Sequence, residues 1–210
     1  MLGILKRDLT LMLSSREEIF LLLFYIPLLL FIVDSYNDGF MYFVILVAYT
    51  YLMSITPFAY DITGKYKYIM NSLPISRLEV VLYKYITTFI YFAISIVYVG
   101  VYLWIINVLN LATVDYFNLE MILQAIPIIM IFTSIVFPAY FRFEPKIAQI
   151  VQMIIFISFF ITVANISSVG EKALLNQIGF LKYINIPLVA VVMYILSLLL
   201  SIRLYKNRDL

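Results

Sequence analysis

The chain of 210 residues contains no cysteine and no histidine. Their absence excludes disulfide frameworks, thiol nucleophiles, imidazole bases and the ligands that zinc, copper and haem sites usually need. Charge is scarce too: Asp, Glu, Lys and Arg make up 12% of the residues, about half the ~25% that an ordinary soluble domain carries. So little charge cannot clothe a globule in water, which excludes a water-soluble monomer. The formal charge is +2, and there is no basic block and no alternation of basic with aromatic residues to form a nucleic-acid groove. What fills the chain instead is 65% hydrophobic residues, with a mean hydropathy of +1.05. Lipid is its main solvent, and the fold class that follows is an all-α, polytopic membrane protein.

A helix satisfies its own backbone in lipid, and crossing ~30 Å of hydrocarbon takes about 20 apolar residues. Six charge-free runs meet or approach that length: 19–33, 40–60, 85–114, 121–141, 147–169 and 183–202. The first is the shortest and follows a charged N-terminus, so a cleaved signal peptide is weighed against it. The stretch after it, Asp34-Ser35-Tyr36-Asn37-Asp38-Gly39, has no small-x-small cleavage pattern, and Arg16 can snorkel to lengthen the span. Pro27 is placed to kink it. The third run is longer than a bilayer needs, so its last turns, near Asn107 and Asn110, are expected to tilt or to leave the bilayer.

Basic residues are retained on the cytoplasmic side of a membrane. With six spans, one side collects Lys6, Arg7, Arg16, Lys65, Lys67, Arg77, Lys84, Arg142, Lys146, Arg203, Lys206 and Arg208, leaving Lys172 and Lys182 to the other. The first two outer loops carry Asp34, Asp38, Asp115 and Glu120 instead. Both termini are therefore expected in the cytoplasm.

Within residues 1–18, Leu2, Leu5, Leu9, Met12 and Leu13 line one helical stripe, with Lys6, Arg7 and Thr10 elsewhere. That is the pattern of a helix lying along an interface, and the plainer reading is a positive anchor. The longest cytoplasmic connection, 61–84, carries two helical signals. Tyr66, Ile69, Met70 and Leu73 follow an i, i+3, i+4, i+7 spacing between Gly64 and Pro74, which predicts a short amphipathic helix. Ser76-Arg77-Leu78-Glu79 is a capping box, with Ile75 and Val80 spaced as a hydrophobic staple, and it predicts a new helix beginning at Arg77. That helix runs without a breaker through Val80, Val81 and Lys84 into the third span, joining the loop to a transmembrane rod. On physics alone, the 66–73 stripe rests on the bilayer, on the protein's own helices or on a partner.

The run Asp61, Gly64, Asn71-Ser72-Leu73-Pro74-Ile75-Ser76-Arg77, Val80-Val81 and Lys84-Tyr85 resembles the loop between the second and third spans of ABC-2 type transporter permeases. The likeness in topology extends over nearly the whole chain: an N-terminal interfacial helix, six spans and cytoplasmic termini. The resemblance implies the membrane subunit of an ATP-driven exporter in the bacterial plasma membrane, whose loop carries a coupling helix that docks on a separate cytoplasmic ABC ATPase. Tyr66, Ile69, Met70 and Leu73 then become the docking residues, and Gly64, Pro74, Ser76, Arg77 and Glu79 the motif around them. It further implies a second permease subunit, identical or similar, and it places ATP and Mg on the ATPase, with no cofactor in this chain. Compact permeases of this kind are similar to those of exporters of amphipathic peptides, including phenol-soluble modulins and antimicrobial peptides.

The residues of the spans bear on the same question. Thr50, Ser54, Thr56, Ser95, Thr133, Ser134, Ser158 and Thr162 are uncharged and expected to glue helices together. No span holds the carboxylate or basic group that an ion-coupled carrier commonly needs, and a G-x-x-x-x-G-K-S/T phosphate loop is absent. The chain is therefore expected to be a transport subunit and not an enzyme, driven by a partner. With 18 Tyr and 17 Phe, a pathway lined by aromatics suits an amphipathic cargo, although aromatics also form ordinary interfacial belts. Residues 142–146 read as a tight turn, and 171–177 as a surface loop or, by the resemblance, a re-entrant half-helix. The competing reading is a membrane immunity or scaffold protein that moves no cargo and needs no ATPase.

Overall fold

The computed structural model describes residues 2–14, 16–32, 38–62, 76–111, 113–169 and 185–207. Their regular structure is entirely helical: α1 (Leu2–Ser14), α2 (Arg16–Ile32), α3 (Asp38–Ile62), α4 (Arg77–Val108), α5 (Leu119–Arg142), α6 (Pro145–Val169) and α7 (Ile186–Lys206). Five of these, α3 to α7, are long and apolar enough to cross a membrane. The run 19–33 falls on α2, whose 17 residues rise about 26 Å, just short of the ~30 Å of hydrocarbon.

The third run differs from its helix at both ends. At the N-terminal end α4 starts at Arg77, behind the expected capping box. At the other end it stops at Val108, where the charge-free run continues to Val114. Local polar chemistry stops it: the Asn107 side chain donates to the Val114 carbonyl at 2.6 Å and accepts from the Val114 amide at 3.0 Å. Asn110 then turns the chain with a φ of 53°, a left-handed conformation that Asn tolerates better than most residues.

The chain divides into two units, Met1–Ile122 and Leu123–Leu210. In the first, α3 packs along α4, while α1 and α2 pack on each other and on α3. α3 is buried on every face, with Tyr42, Ile45, Leu46, Val47, Tyr49 and Tyr51 all closed off, as befits a helix that is apolar all round. Tyr49 stacks on Tyr98 of α4 with ring centroids 5.0 Å apart. α4 instead turns Ile86, Phe89, Val97, Val101 and Trp104 outward, a face that only lipid or another apolar surface can solvate.

In the second unit α7 buries the narrow stripe Ala190, Tyr194, Ser197 and Ser201 and exposes Leu188, Val192, Ile195, Leu196 and Leu199. Small residues let helix backbones approach where lipid supplies no hydrophobic drive between helices. The Ser197 hydroxyl donates to the Ser134 carbonyl of α5 at 2.6 Å, and the Tyr140 hydroxyl of α5 bonds Gln152 of α6. Of the hydroxyls expected to glue helices, Ser95 reaches Met53 Sδ of α3 at 3.5 Å, and most also bond within their own helix. Ser54, Thr56, Ser95, Thr133, Ser134, Ser158 and Thr162 donate to the carbonyl four residues earlier in their own helix. Such back-bonding satisfies a hydroxyl without requiring a neighbouring helix to supply an acceptor.

Candidate functional site

The expected docking residues Tyr66, Ile69, Met70 and Leu73, and with them Gly64 and Pro74, lie outside the described residues. The far leg of the loop is described, and it shows how α4 begins. Ser76 is extended (φ −69°, ψ 148°), and its hydroxyl accepts from the Glu79 amide at 3.2 Å. Glu79 reaches back, its Oε2 accepting from the Ser76 amide at 2.8 Å and from the Ser76 hydroxyl at 2.9 Å. Two otherwise orphaned amides of the first turn are thereby satisfied reciprocally. Ser76, Arg77, Leu78 and Glu79 are exposed, whereas Val80 and Val81 are buried. The rod thus passes from surface to interior within one turn of its cap.

Burying Val80 and Val81 carries Tyr83 and Lys84 inward as well, because residues three and four apart share a helix face. Lys84 is only 3% exposed, and it faces Asp8 of α1, itself 1% exposed, with its Nζ 3.5 Å from Asp8 Oδ2. Tyr83 donates its hydroxyl to the same oxygen at 3.1 Å. The other carboxylate oxygen, Oδ1, accepts from Arg7 Nε at 2.9 Å and Nη2 at 2.5 Å. The Lys84 ammonium also lies over the Phe58 ring of α3, 4.8 Å from its centroid, within cation–π range. Thr87 and Thr88 donate to the carbonyls of Tyr83 and Lys84 at 2.9 and 3.2 Å. Three helices are joined here through one carboxylate and one ammonium.

The C-terminal end of α4 is held by different means. A Cβ on Gly100 would stand 3.1 Å from the Tyr116 carbonyl, and one on Gly39 of α3 would stand 3.3 Å from both Asn118 Nδ2 and Asp115 Oδ2. The segment after α4 therefore folds back against α4 and α3, and Asn118 caps α5 by accepting from the Met121 amide at 3.2 Å. Among the described residues no group of His, Cys, Asp or Glu could hold a metal ion. The geometry assembled so far is that of a mechanical joint: a capped rod, pinned at both ends.

A family model described as ABC-2 family transporter protein matches residues 3–206. The chain belongs to the ABC-2 transporter family. It is accordingly a multi-pass membrane protein with a permease role in ABC transport, and ABC-2 permeases work with an ABC ATPase partner. No curated protein and no solved structure matches it.

For an ABC-2 permease, the residues that sequence reasoning overlooked are Asp8 and Tyr83, together with the burial of Lys84. Lys84 reads as one more basic residue of a cytoplasmic loop until the capping box fixes the helix start. From that point the spacing to Val80 and Val81 places it inside, and a buried ammonium demands an acid. Which acid answers it is a tertiary fact. Asp8 lies in another helix, and nothing in the local pattern of residues 1–18 singles it out.

Proposed function

We propose that this chain is the permease subunit of an ATP-driven exporter that moves an amphipathic peptide, or a comparably hydrophobic substrate, out of a bacterial cell. Two such subunits, identical or similar, pair in the plasma membrane with two cytoplasmic ATPases that bind ATP and Mg. α2 serves as the sixth span, lengthened by Arg16, which puts both termini and the loop 61–84 on the cytoplasmic side in accord with the distribution of Lys and Arg.

The observation that carries this reading is the joint at Ser76. The loop that resembles an ABC-2 coupling segment leads directly into a capped helix of 32 residues, so force delivered through Tyr66, Ile69, Met70 and Leu73 passes into a rod that crosses the membrane. Cycling of the ATPase then favours different states of the permease in turn, by a few kcal/mol on the scale usual for population shifts. The abundance of Tyr and Phe supports an amphipathic cargo, which aromatic side chains meet with an apolar body and, for Tyr, a polar tip.

A photo-crosslinker placed at Met70, followed by gentle purification from native membranes and mass spectrometry, tests the reading. The expected adduct is an ATP-binding subunit. Folded protein that crosslinks there only to lipid or itself, with no ATPase retained, refutes the docking role and favours the scaffold or immunity alternative. Ile69→Pro or Met70→Asp is expected to abolish ATP-driven export while leaving membrane insertion intact.

A further inference from the structure

The buried cluster sits at the base of the loop 61–84. Phe58 stands one turn before α3 ends at Ile62, and Lys84 stands two turns after α4 begins at Arg77. Both legs of the loop therefore meet at the Lys84 ammonium, 4.8 Å from the Phe58 centroid, and that ammonium faces Asp8 of α1 at 3.5 Å. We infer that Asp8 is the positioning residue that locks α1 to both legs of the loop, so that α1, the end of α3 and the first turns of α4 move as one body through the transport cycle. The inference rests on the exporter reading and deepens it by naming the contact through which loop motion reaches the N-terminal helix.

The arrangement of the carboxylate carries the argument. Oδ1 is committed to Arg7 within α1, and Oδ2 to Tyr83 and Lys84 on α4. Each oxygen has its own helix, so neither rotation of α1 about its axis nor sliding along α4 can be accommodated without losing a contact. Apolar contacts tolerate such slippage, and a buried pair is in general no more stabilising than apolar residues of the same volume. What the charges add here is a defined register between the two helices.

The natural lack of cysteine allows two introduced cysteines to be labelled cleanly. Thr10 on α1 and Leu78 on α4 are both exposed and suit nitroxide labels. The 10–78 distance is measured by pulsed electron resonance on the complex purified with its ATPase, without nucleotide and after trapping with ATP and vanadate. In the otherwise unaltered protein we expect a single distance that trapping leaves unchanged. In Asp8→Asn the distance broadens or shifts in the trapped state alone, and trapping requires about tenfold more ATP, within the range usual for coupling between sites. The double variant Asp8→Asn with Lys84→Met, which leaves no stranded charge and so guards against misfolding, keeps that response.

A 10–78 distance that changes on trapping when Asp8 is present overturns the inference. So does a double variant that behaves as though Asp8 were intact, or an Asp8→Asn distance broadened equally in both states, as a purely structural role would give. A complex that retains no ATPase refutes the exporter reading itself, and the coupling role falls with it.

Discussion

Replacing Asp8 with Asn keeps the size of the side chain and removes a negative charge on which Arg7, Tyr83 and Lys84 converge. Lys84, 3% exposed, then loses the carboxylate 3.5 Å from its Nζ, and breaking a buried pair from one side costs about 3–5 kcal/mol. Lys84→Met breaks the same pair from the other side with a different result. Asp8 keeps Arg7 at 2.5 and 2.9 Å and Tyr83 at 3.1 Å, and the thioether can pack on Phe58. Its cost should be about 1–3 kcal/mol, that of one charge-assisted contact. In the double variant no ammonium is stranded, so the combined cost should fall short of the sum of the singles by about 1–3 kcal/mol. Unfolding of the purified protein in detergent can be followed by the fluorescence of Trp104, the single tryptophan of the chain. Costs that add to within about 0.5 kcal/mol, or a Lys84→Met variant less stable than Asp8→Asn, would refute the reasoning.

At the C-terminal end of α4, Asn107→Leu removes both hydrogen bonds to the Val114 backbone and should cost about 2–4 kcal/mol, again read from Trp104 fluorescence, one turn away. Gly100→Ala gains about 1 kcal/mol of helix propensity but sets a Cβ 3.1 Å from the Tyr116 carbonyl. The two effects should nearly cancel, whereas Gly100→Val should be destabilised by about 1–3 kcal/mol through overpacking; a thermal melt separates the two. Removing the cap with Ser76→Ala and Glu79→Ala should speed amide exchange in the first turn of α4 and leave the amides beyond Tyr85 protected; uniform protection would show that the cap does not fix the helix start.

The helical class was legible because charge and backbone satisfaction in lipid are properties of composition and run length, which a single sequence displays in full. The start of α4 was legible for a related reason: a capping box is complete within four residues, and Ser76 and Glu79 make the contacts their spacing predicts. Its end was harder to place. Leu109, Leu111 and Val114 continue the apolar run, and only the two asparagines mark where the backbone leaves the helix. The hydroxyls were legible only in part: Ser95 does reach Met53 of the neighbouring helix, but Ser and Thr in a helix also find an acceptor one turn back, so spacing alone does not say which of them bridge. The Asp8 cluster lay beyond local pattern altogether. The spacing of Lys84 to Val80 and Val81 reveals that it is buried, but its carboxylate comes from α1, and a pairing across helices leaves no periodic trace.

These pieces bear on one mechanical question, which is whether a displacement at the loop is delivered to the membrane or absorbed on the way. A helix whose start can slip by a residue would absorb it, and the reciprocal cap at Ser76 opposes that slippage. A rod whose first turns rested only on apolar contacts could tilt against its neighbours, and Lys84 opposes that by engaging Asp8 of α1 and Phe58 of α3 together. The C-terminal end is held by Asn107 and by the close approach at Gly100. Between these points α4 turns Ile86, Phe89, Val97, Val101 and Trp104 outward, toward surroundings that in a fluid bilayer offer little directional resistance. On its inward face α4 is held along its middle as well, by the Tyr49–Tyr98 stack and by the Ser95 hydroxyl on Met53 Sδ of α3, whereas its outward face has only lipid or another apolar surface to meet. A push on the start of such a rod would be shared with α1 and α3 through Lys84 and Asp8, so the three helices would shift together and α4 would not pivot alone.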